Sequence, residues 1–392
     1  MGAYVLRRLL LMIPTIIGIM AVSFLVVQFA PGGPVEQIIA QLQGNDVSTG
    51  DRISGGSGAD VAGQGLLSEG GGDVTSKYRG AQGLDPEFIA ELEAQFGFDK
   101  PAHERFLLML WNYARFDFGD SYFRDVAVID LIIEKMPVSI SLGLWMTLIS
   151  YGISIPLGIS KAVRDGSRFD VWTSGLVVVG YAIPGFLFAV LLIVLFAGGS
   201  FLDLFPLRGL TSSSWEELPG IIKSVYPRSE VDLSVNPYEY MNFFWKAVDY
   251  FWHLALPLTA MALSAFATTT LLTKNSFLDE IRKQYVQTAR AKGLTERAVL
   301  YGHVFRNAML IIIAGFPGAF VAAFFTGSLL IEQIFSLDGL GLLSFESVLD
   351  RDYPVVFATL YIFSLIGLLV NLISDLTYTW IDPRIDFESR EV

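Results

Sequence analysis

The chain has 392 residues, 53% of them hydrophobic and only 17% charged, with a formal net charge of −12 and a mean hydropathy of +0.51. A soluble domain carries about 25% charged residues, so that class is excluded, and apolar runs of roughly 20 residues indicate membrane-crossing helices instead of the short alternating strands of a barrel. With no cysteine and only three widely spaced histidines (His103, His253 and His303), disulfides and a thiolate metal site are excluded and a histidine metal site is not expected.

Apolar stretches at Leu9–Phe29, Val138–Ser160, Val171–Ala197, Leu254–Thr273, Ala308–Ile331 and Val355–Ser374 each have the length to cross a bilayer. We therefore expect an all-α membrane protein with six transmembrane helices. Residues 1–30 hold the first helix and 31–137 an outer segment. Residues 138–380 form a core of five helices with a cytoplasmic loop at 274–307, and 381–392 a cytoplasmic tail. Arg7 and Arg8 open the first span as they would a signal peptide. The apolar run is longer than a signal peptide's, however, and no small-x-small cleavage site follows before Pro31, so an uncleaved span is expected.

The outer segment begins with Gln41–Leu84, which carries 12 Gly. Such a stretch buries too little apolar surface to offset its ordering entropy and is expected to be flexible. Asp85 then caps a helix with Pro86 in its first turn, Phe88, Ile89, Leu92 and Phe96 on one face, and Gly97 as its stop. A second helix starts at Pro101 and runs through Phe106, Met109, Leu110 and Tyr113. Both fit helices that lie on the outer membrane surface or cap the bundle. Farther on, Gly198–Tyr250 is long, aromatic and acidic, and reads either as a contact for an external partner or as a solvated loop folded onto the helix ends.

Basic residues set the orientation. Lys274–Asn307 holds Lys274, Arg282, Lys283, Arg290, Lys292, Arg297 and Arg306 against Asp279, Glu280 and Glu296. Arg7 and Arg8, then Lys161, Arg164 and Arg168, then Arg384 and Arg390 fall on the same side of the membrane, which is cytoplasmic, so both termini are expected inside. A turn between spans needs only a few residues, so a long, basic, helix-prone loop reads as a docking surface for a soluble partner. Inside it, a short helix is expected to end near Ala291, with Gly293 as its stop and Thr295 capping the next helix. The turn between them projects Ala291, Lys292, Gly293 and Leu294 into the cytosol.

No Asp, Glu, Lys, Arg or His lies within the six spans as bounded above. This argues against a proton pump or a voltage sensor, while a sodium-coupled carrier built on backbone carbonyls and hydroxyls stays open. Pro184 and Pro317 are candidate hinges, against a background of ordinary Gly and Pro packing in membrane helices. There is no G-x-x-x-x-G-K-[ST] phosphate loop, no G-x-S-x-G elbow and no H-E-x-x-H, so neither a nucleotide site of that kind nor an enzyme is expected.

Three blocks carry a resemblance. Tyr4–Pro34 has two Arg, an apolar run and a Pro-Gly-x-Pro exit; Tyr285–Ala308 reads YVQTARAKGLTERAVLYGHVFRNA; Gly327–Ile385 contains IEQIFSLDGLGLL, RDYPVV and DPRI. These resemble the membrane permeases of ABC-type importers, specifically the oligopeptide and dipeptide branch. The APGGPVEQ opening, SRFDVW and LTKNSFLDEIRKQYV look most like its Yej-type members, associated with oligopeptide and microcin C uptake. The resemblance implies a type I importer permease fold in the bacterial cytoplasmic (inner) membrane. It also implies a second, different permease beside it, an ABC ATPase that binds ATP and Mg, and a periplasmic or extracellular peptide-binding protein. No cofactor is expected in this chain, nor nucleic acid. The family's coupling motif falls on Gln287, Thr288, Ala289, Arg290, Ala291, Lys292, Gly293 and Leu294, with Gln287 where the general motif has Glu. The competing class is a self-sufficient secondary carrier or channel.

Overall fold

The computed structural model describes residues 2–29, 35, 99–197, 199, 201–229, 231–325 and 329–381. The Gly-rich segment at 41–84, the helix expected over 85–97 and the tail after Ile381 lie outside the described residues. Helix α1 spans Gly2–Phe29, α2 Ala102–Tyr113, α3 Val128–Val163, α4 Arg168–Ala182 and α5 Gly185–Phe196. Next come α6 (Gly220–Val225), α7 (Pro237–Tyr240), α8 (Phe243–Ile281), α9 (Gln284–Ala291) and α10 (Glu296–Val299). A π turn at Leu300–Val304 leads into α11 (Phe305–Phe325), followed by α12 (Leu329–Ile334), α13 (Leu340–Leu349) and α14 (Tyr353–Ile381). Among the described residues the only β pairing is an isolated bridge between Asp120 and Ala127.

Among the described residues, four stretches are long and apolar enough to cross a membrane (Tyr4–Gln28, Val128–Val163, Glu296–Val321 and Tyr353–Thr377), and the number rises to six if two bent pairs each count as one span. One bent pair is α4 with α5, which meet at 96°. Pro184 causes this break: a proline restricts the residue before it to extended backbone, and Ile183 is extended at φ −86°, ψ 119°. The third predicted span is therefore not one straight helix. The other pair lies within α8, bent by 50° between Leu263 and Ala265. Pro317, by contrast, sits inside the unbroken α11.

The helices also extend past the predicted spans. Helix α3 starts at Val128, ahead of Val138, and α8 starts at Phe243, ahead of Leu254, and runs on past Lys274 to Ile281. Four fully or nearly fully buried ionisable groups, Lys161, Asp170, His253 and Glu332, each stand one residue outside a predicted span boundary. Lys161 and Asp170 are buried where the ends of α3 and α4 meet, whereas His253 lies within α8 and Glu332 within α12, and hydropathy alone does not reveal this.

The chain divides into two compact units. The first comprises Met1–Leu10, Lys135–Leu343 and Leu365–Val392. Its centre is α8, which packs against α4, α5 and α11; Leu254 and Leu258 of α8 share a buried cluster with Leu142 and Met146 of α3, Leu192 of α5 and Phe335 after α12. Tyr4 and Arg8 at the start of α1 both reach Asp375 on α14, at 3.0 and 2.7 Å. The described part of Gly198–Tyr250 folds onto the start of α8 and carries the short helices α6 and α7. Leu218, Ile222 and Met241 form a small core with Trp215, Tyr226 and Tyr238 around them. Asp249 on α8 ties this cap down by accepting from the Ser212 amide at 2.8 Å and from its hydroxyl at 2.7 Å.

A buried polar knot closes the far end of α12. The Glu332 side chain accepts from the Ser139 hydroxyl at 3.1 Å and from the Leu342 amide at 2.7 Å, while Ser139 Oγ accepts from the Leu340 amide at 2.8 Å. These are first-turn amides of α13, which have no partner within the helix. Gly339 precedes that turn, and a Cβ there would lie 2.5 Å from the Glu332 carboxyl carbon.

The second unit comprises Leu11–Glu134 and Ser344–Ser364. Helix α2 begins at Ala102, directly after the predicted start at Pro101, which is its N-cap. Its Phe106 ring lies 5.4 Å from Phe24, and Arg105 donates to Gln28 at 2.8 Å. Tyr113, Phe118 and Tyr361 form an aromatic cluster. Asp352 accepts from the Ser121 hydroxyl and from the Tyr122 amide, and Arg124 pairs with Glu346 at 2.8 Å.

Candidate functional site

Residues 287–294 form an elbow between α8 and α11. Helix α9 ends at Ala291, and the chain reverses through Lys292 and Gly293, whose φ is +84°. The Gly293 amide bonds to the Arg290 carbonyl at 2.9 Å and the Leu294 amide to the Ala289 carbonyl at 3.4 Å. This pair of bonds is a Schellman motif, and it needs left-handed backbone at the glycine. A Cβ at Gly293 would meet nothing within 4 Å, so the glycine answers a backbone requirement and not a shortage of space. Thr295 then caps α10, its side chain accepting from the Ala298 amide at 3.4 Å.

The elbow has a rigid base and a bare tip. Val286, Ala289, Val299 and Val304 are buried against Ile159, Phe277, Ala308 and Ile312. All nine residues from Arg290 to Ala298 are exposed. Of the eight motif residues, Ala289 alone is buried; Gln287, Thr288, Arg290, Ala291, Lys292, Gly293 and Leu294 face outward. Arg290 Nε and Nη2 reach the two carboxylate oxygens of Glu296 at 2.9 and 3.0 Å. Both side chains are well exposed, so the pair is worth less than about 1 kcal/mol and serves to shape the turn. An open groove beside the tip is lined by Thr295, Arg297, Ala298 and Tyr301. Pro184, in the break between α4 and α5, and Pro317, within α11, are not part of this surface.

Sequence reasoning missed what ties the elbow to its neighbours. The Tyr285 hydroxyl on α9 donates to Glu280 on α8 at 2.7 Å and accepts from Asn307 on α11 at 3.2 Å. Burial raises the phenol above its ordinary pKa; Asn307 opposes this and Glu280 adds to it, so the hydroxyl keeps its proton at neutral pH. One side chain thereby spans the incoming helix, the elbow and the outgoing helix. The spacing of Glu280, Tyr285 and Asn307 gave no signal, because the three meet only once the chain has turned twice. Replacing Tyr285 by Phe should preserve packing and remove these bonds. The expected cost is about 1 kcal/mol of local stability, measured as faster amide exchange across 284–291 at unchanged expression.

A second cluster lies at the same ends of α3, α4 and α8. Lys161 is completely buried there against Asp170, and Lys274 meets the same carboxylate at 2.7 Å.

Residues 154–387 match the family described as "Binding-protein-dependent transport system inner membrane component". Over 392 residues the chain is 68% identical to the "Peptidoglycan transport system permease protein YejB" of Agrobacterium fabrum (strain C58), covering 100% of both sequences. It is 56% identical over 390 residues to the "Inner membrane ABC transporter permease protein YejB" of Escherichia coli O157:H7, again covering 100% of both. It is also 30% identical over 388 residues to the "Oligopeptide transport system permease protein AppB" of Bacillus subtilis (strain 168), covering 99% of this chain and 100% of that one.

Proposed function

For a chain that belongs to the binding-protein-dependent transport system inner membrane components, and so is a multi-pass protein of the inner membrane, we propose the role of permease subunit in an ATP-driven ABC importer of oligopeptides or peptide-like compounds. It pairs with a second, different permease to form the path. ATPase subunits, which bind ATP and Mg, dock on its cytoplasmic face, and a soluble binding protein delivers cargo to the other. Six spans with both termini in the cytoplasm complete the reading, supported by the basic residues on the terminal and elbow segments.

The observation that carries it is the elbow, a stretch exposed from Arg290 to Ala298 and standing on a buried base. Its tip makes few contacts with the rest of the chain, so its shape is available to another subunit. Arg290, Lys292 and Arg297 favour an acidic groove there. The names of the relatives support a peptide-type cargo, and that of the Agrobacterium protein favours a second reading in which the cargo derives from peptidoglycan.

The test is reconstitution of the permease pair with its ATPase and binding protein in liposomes. Labelled oligopeptide and labelled peptidoglycan fragments are offered with and without ATP. ATP-dependent uptake of either is the expected result, and the preferred label chooses between the cargoes. Uptake by this chain alone on an ion gradient would instead establish a self-sufficient carrier or channel.

A further inference from the structure

Three helices end on one group of charges outside the elbow. Lys161 closes α3; its Nζ donates to the Asp170 carbonyl at 3.0 Å, to Thr173 Oγ1 at 2.9 Å and to Ser174 Oγ at 2.7 Å, and lies 3.1 Å from Asp170 Oδ1. The other carboxylate oxygen of Asp170 accepts from Lys274 Nζ on α8 at 2.7 Å and from the Gly166 amide at 3.2 Å. Lys274 also reaches Asp165 at 3.0 Å, and Arg282, which ends α8, stands 3.7 Å from the other oxygen of Asp165. Lys283 follows, and then α9 begins.

Apolar side chains of similar volume would hold three helix ends together as firmly, since a buried ion pair regains little more than its desolvation cost. What the charges add is direction and register: charge-assisted hydrogen bonds have defined lengths and angles. Asp170 is gripped by ammonium groups from two different helices. It sits in the first turn of α4, and Ser167 caps that turn. The cluster therefore ties the first turn of α4, which opens the bent pair α4–α5, to α8, which leads into the elbow.

We propose that the Lys161–Asp170–Lys274 cluster is the joint through which displacement of the elbow passes from α8 to the bent pair α4–α5, with Asp170 as the positioning residue. This rests on the importer reading and adds to it where the drive enters the helices. A load path of this kind needs an element that both ends bias. Here that element is α4, fixed at one end by Asp170 and broken at the other by Pro184.

The test compares wild type, Asp170→Asn and Asp165→Asn in the fully reconstituted importer. Molecules imported per ATP hydrolysed are measured, and amide exchange over 168–182 and 284–291 is followed on the same preparations. Asp170→Asn should lower import per ATP by about two- to thirtyfold, keep binding-protein-stimulated hydrolysis, and speed exchange in 284–291. Asp165, whose side chain is 40% exposed, should give a smaller change of the same sign. An unchanged import ratio in both variants overturns the proposal, as does unchanged exchange in 284–291. Parallel loss of uptake and hydrolysis also overturns it, by showing a merely structural role. If Asp170→Asn does not assemble, Asp165→Asn decides by the same readouts. If wild type imports nothing with ATP, the importer reading fails, and the exchange measurement alone then judges the joint.

Discussion

Gly293→Trp is expected to abolish ATP-driven uptake while leaving a protein that inserts and assembles its own helices normally. The space around Gly293 is open within the chain, so the indole meets no internal clash. The backbone cost of a left-handed residue is about 1–2 kcal/mol, at a turn that carries none of the membrane core. A docked partner is another matter. A residue at the centre of an interface is worth about 2 kcal/mol or more, which corresponds to a loss of about thirtyfold or greater. Two companions separate the causes. Gly293→Asn accepts the left-handed backbone with a small side chain and should retain much of the activity, whereas Gly293→Ala should fall between the two. Uptake and substrate-stimulated hydrolysis at wild-type levels in the Trp variant would show that no partner approaches this turn.

Glu332→Ala should have the largest effect on stability. It leaves the Leu342 amide without its acceptor, frees the Ser139 hydroxyl on that side, and opens a void beside Gly339. Leaving a buried donor unsatisfied costs about 1–3 kcal/mol, and the void adds to it, so a loss on the order of 3 kcal/mol is expected. Glu332→Gln keeps an acceptor and should lose about half as much. Gly339→Ala attacks the same knot from the other side by pushing the carboxyl group out of place. Unfolding of detergent-solubilised protein by heat, followed by size-exclusion profile, ranks the three. A Glu332→Ala midpoint equal to wild type would show that water replaces the carboxylate at no cost.

The elbow was almost fully legible in the sequence, because its geometry is local. Helix α9 stops at Ala291, Gly293 takes the left-handed turn and Thr295 caps α10, each within a few residues of its signal. The spans were legible in position but not in shape. Hydropathy places an apolar run over Val171–Ala197 and Pro184 marks where it breaks, but neither gives the 96° between the two halves. The buried charges were least legible. Lys161 and Asp170 sit in a short hydrophilic stretch that reads as a cytoplasmic turn. Only when Lys274 arrives from α8, 104 residues from Asp170 in sequence, do the two ends of that turn become interior, while residues 163–166 between them stay exposed. Tyr285 and Asn307 likewise meet only across a turn of the chain. Local signals specify helices and their ends, whereas polar contacts between helices depend on a fold that no single window contains.

The π turn at Leu300–Val304 has a consequence for rotational phase. Val299, Val304, Ala308 and Ile312 are all buried in one cluster, at spacings of five, four and four. In an α-helix a step of five residues turns a side chain about 140° away from where it began, because each residue advances about 100°. The wider π turn absorbs that excess, so the elbow and α11 present one continuous inward seam. The turn thus acts as a clocking element. It sets the azimuth at which α11 leaves the elbow, and removing a single residue from it would rotate Ala308 and Ile312 out of the seam without altering any side chain that the seam contains.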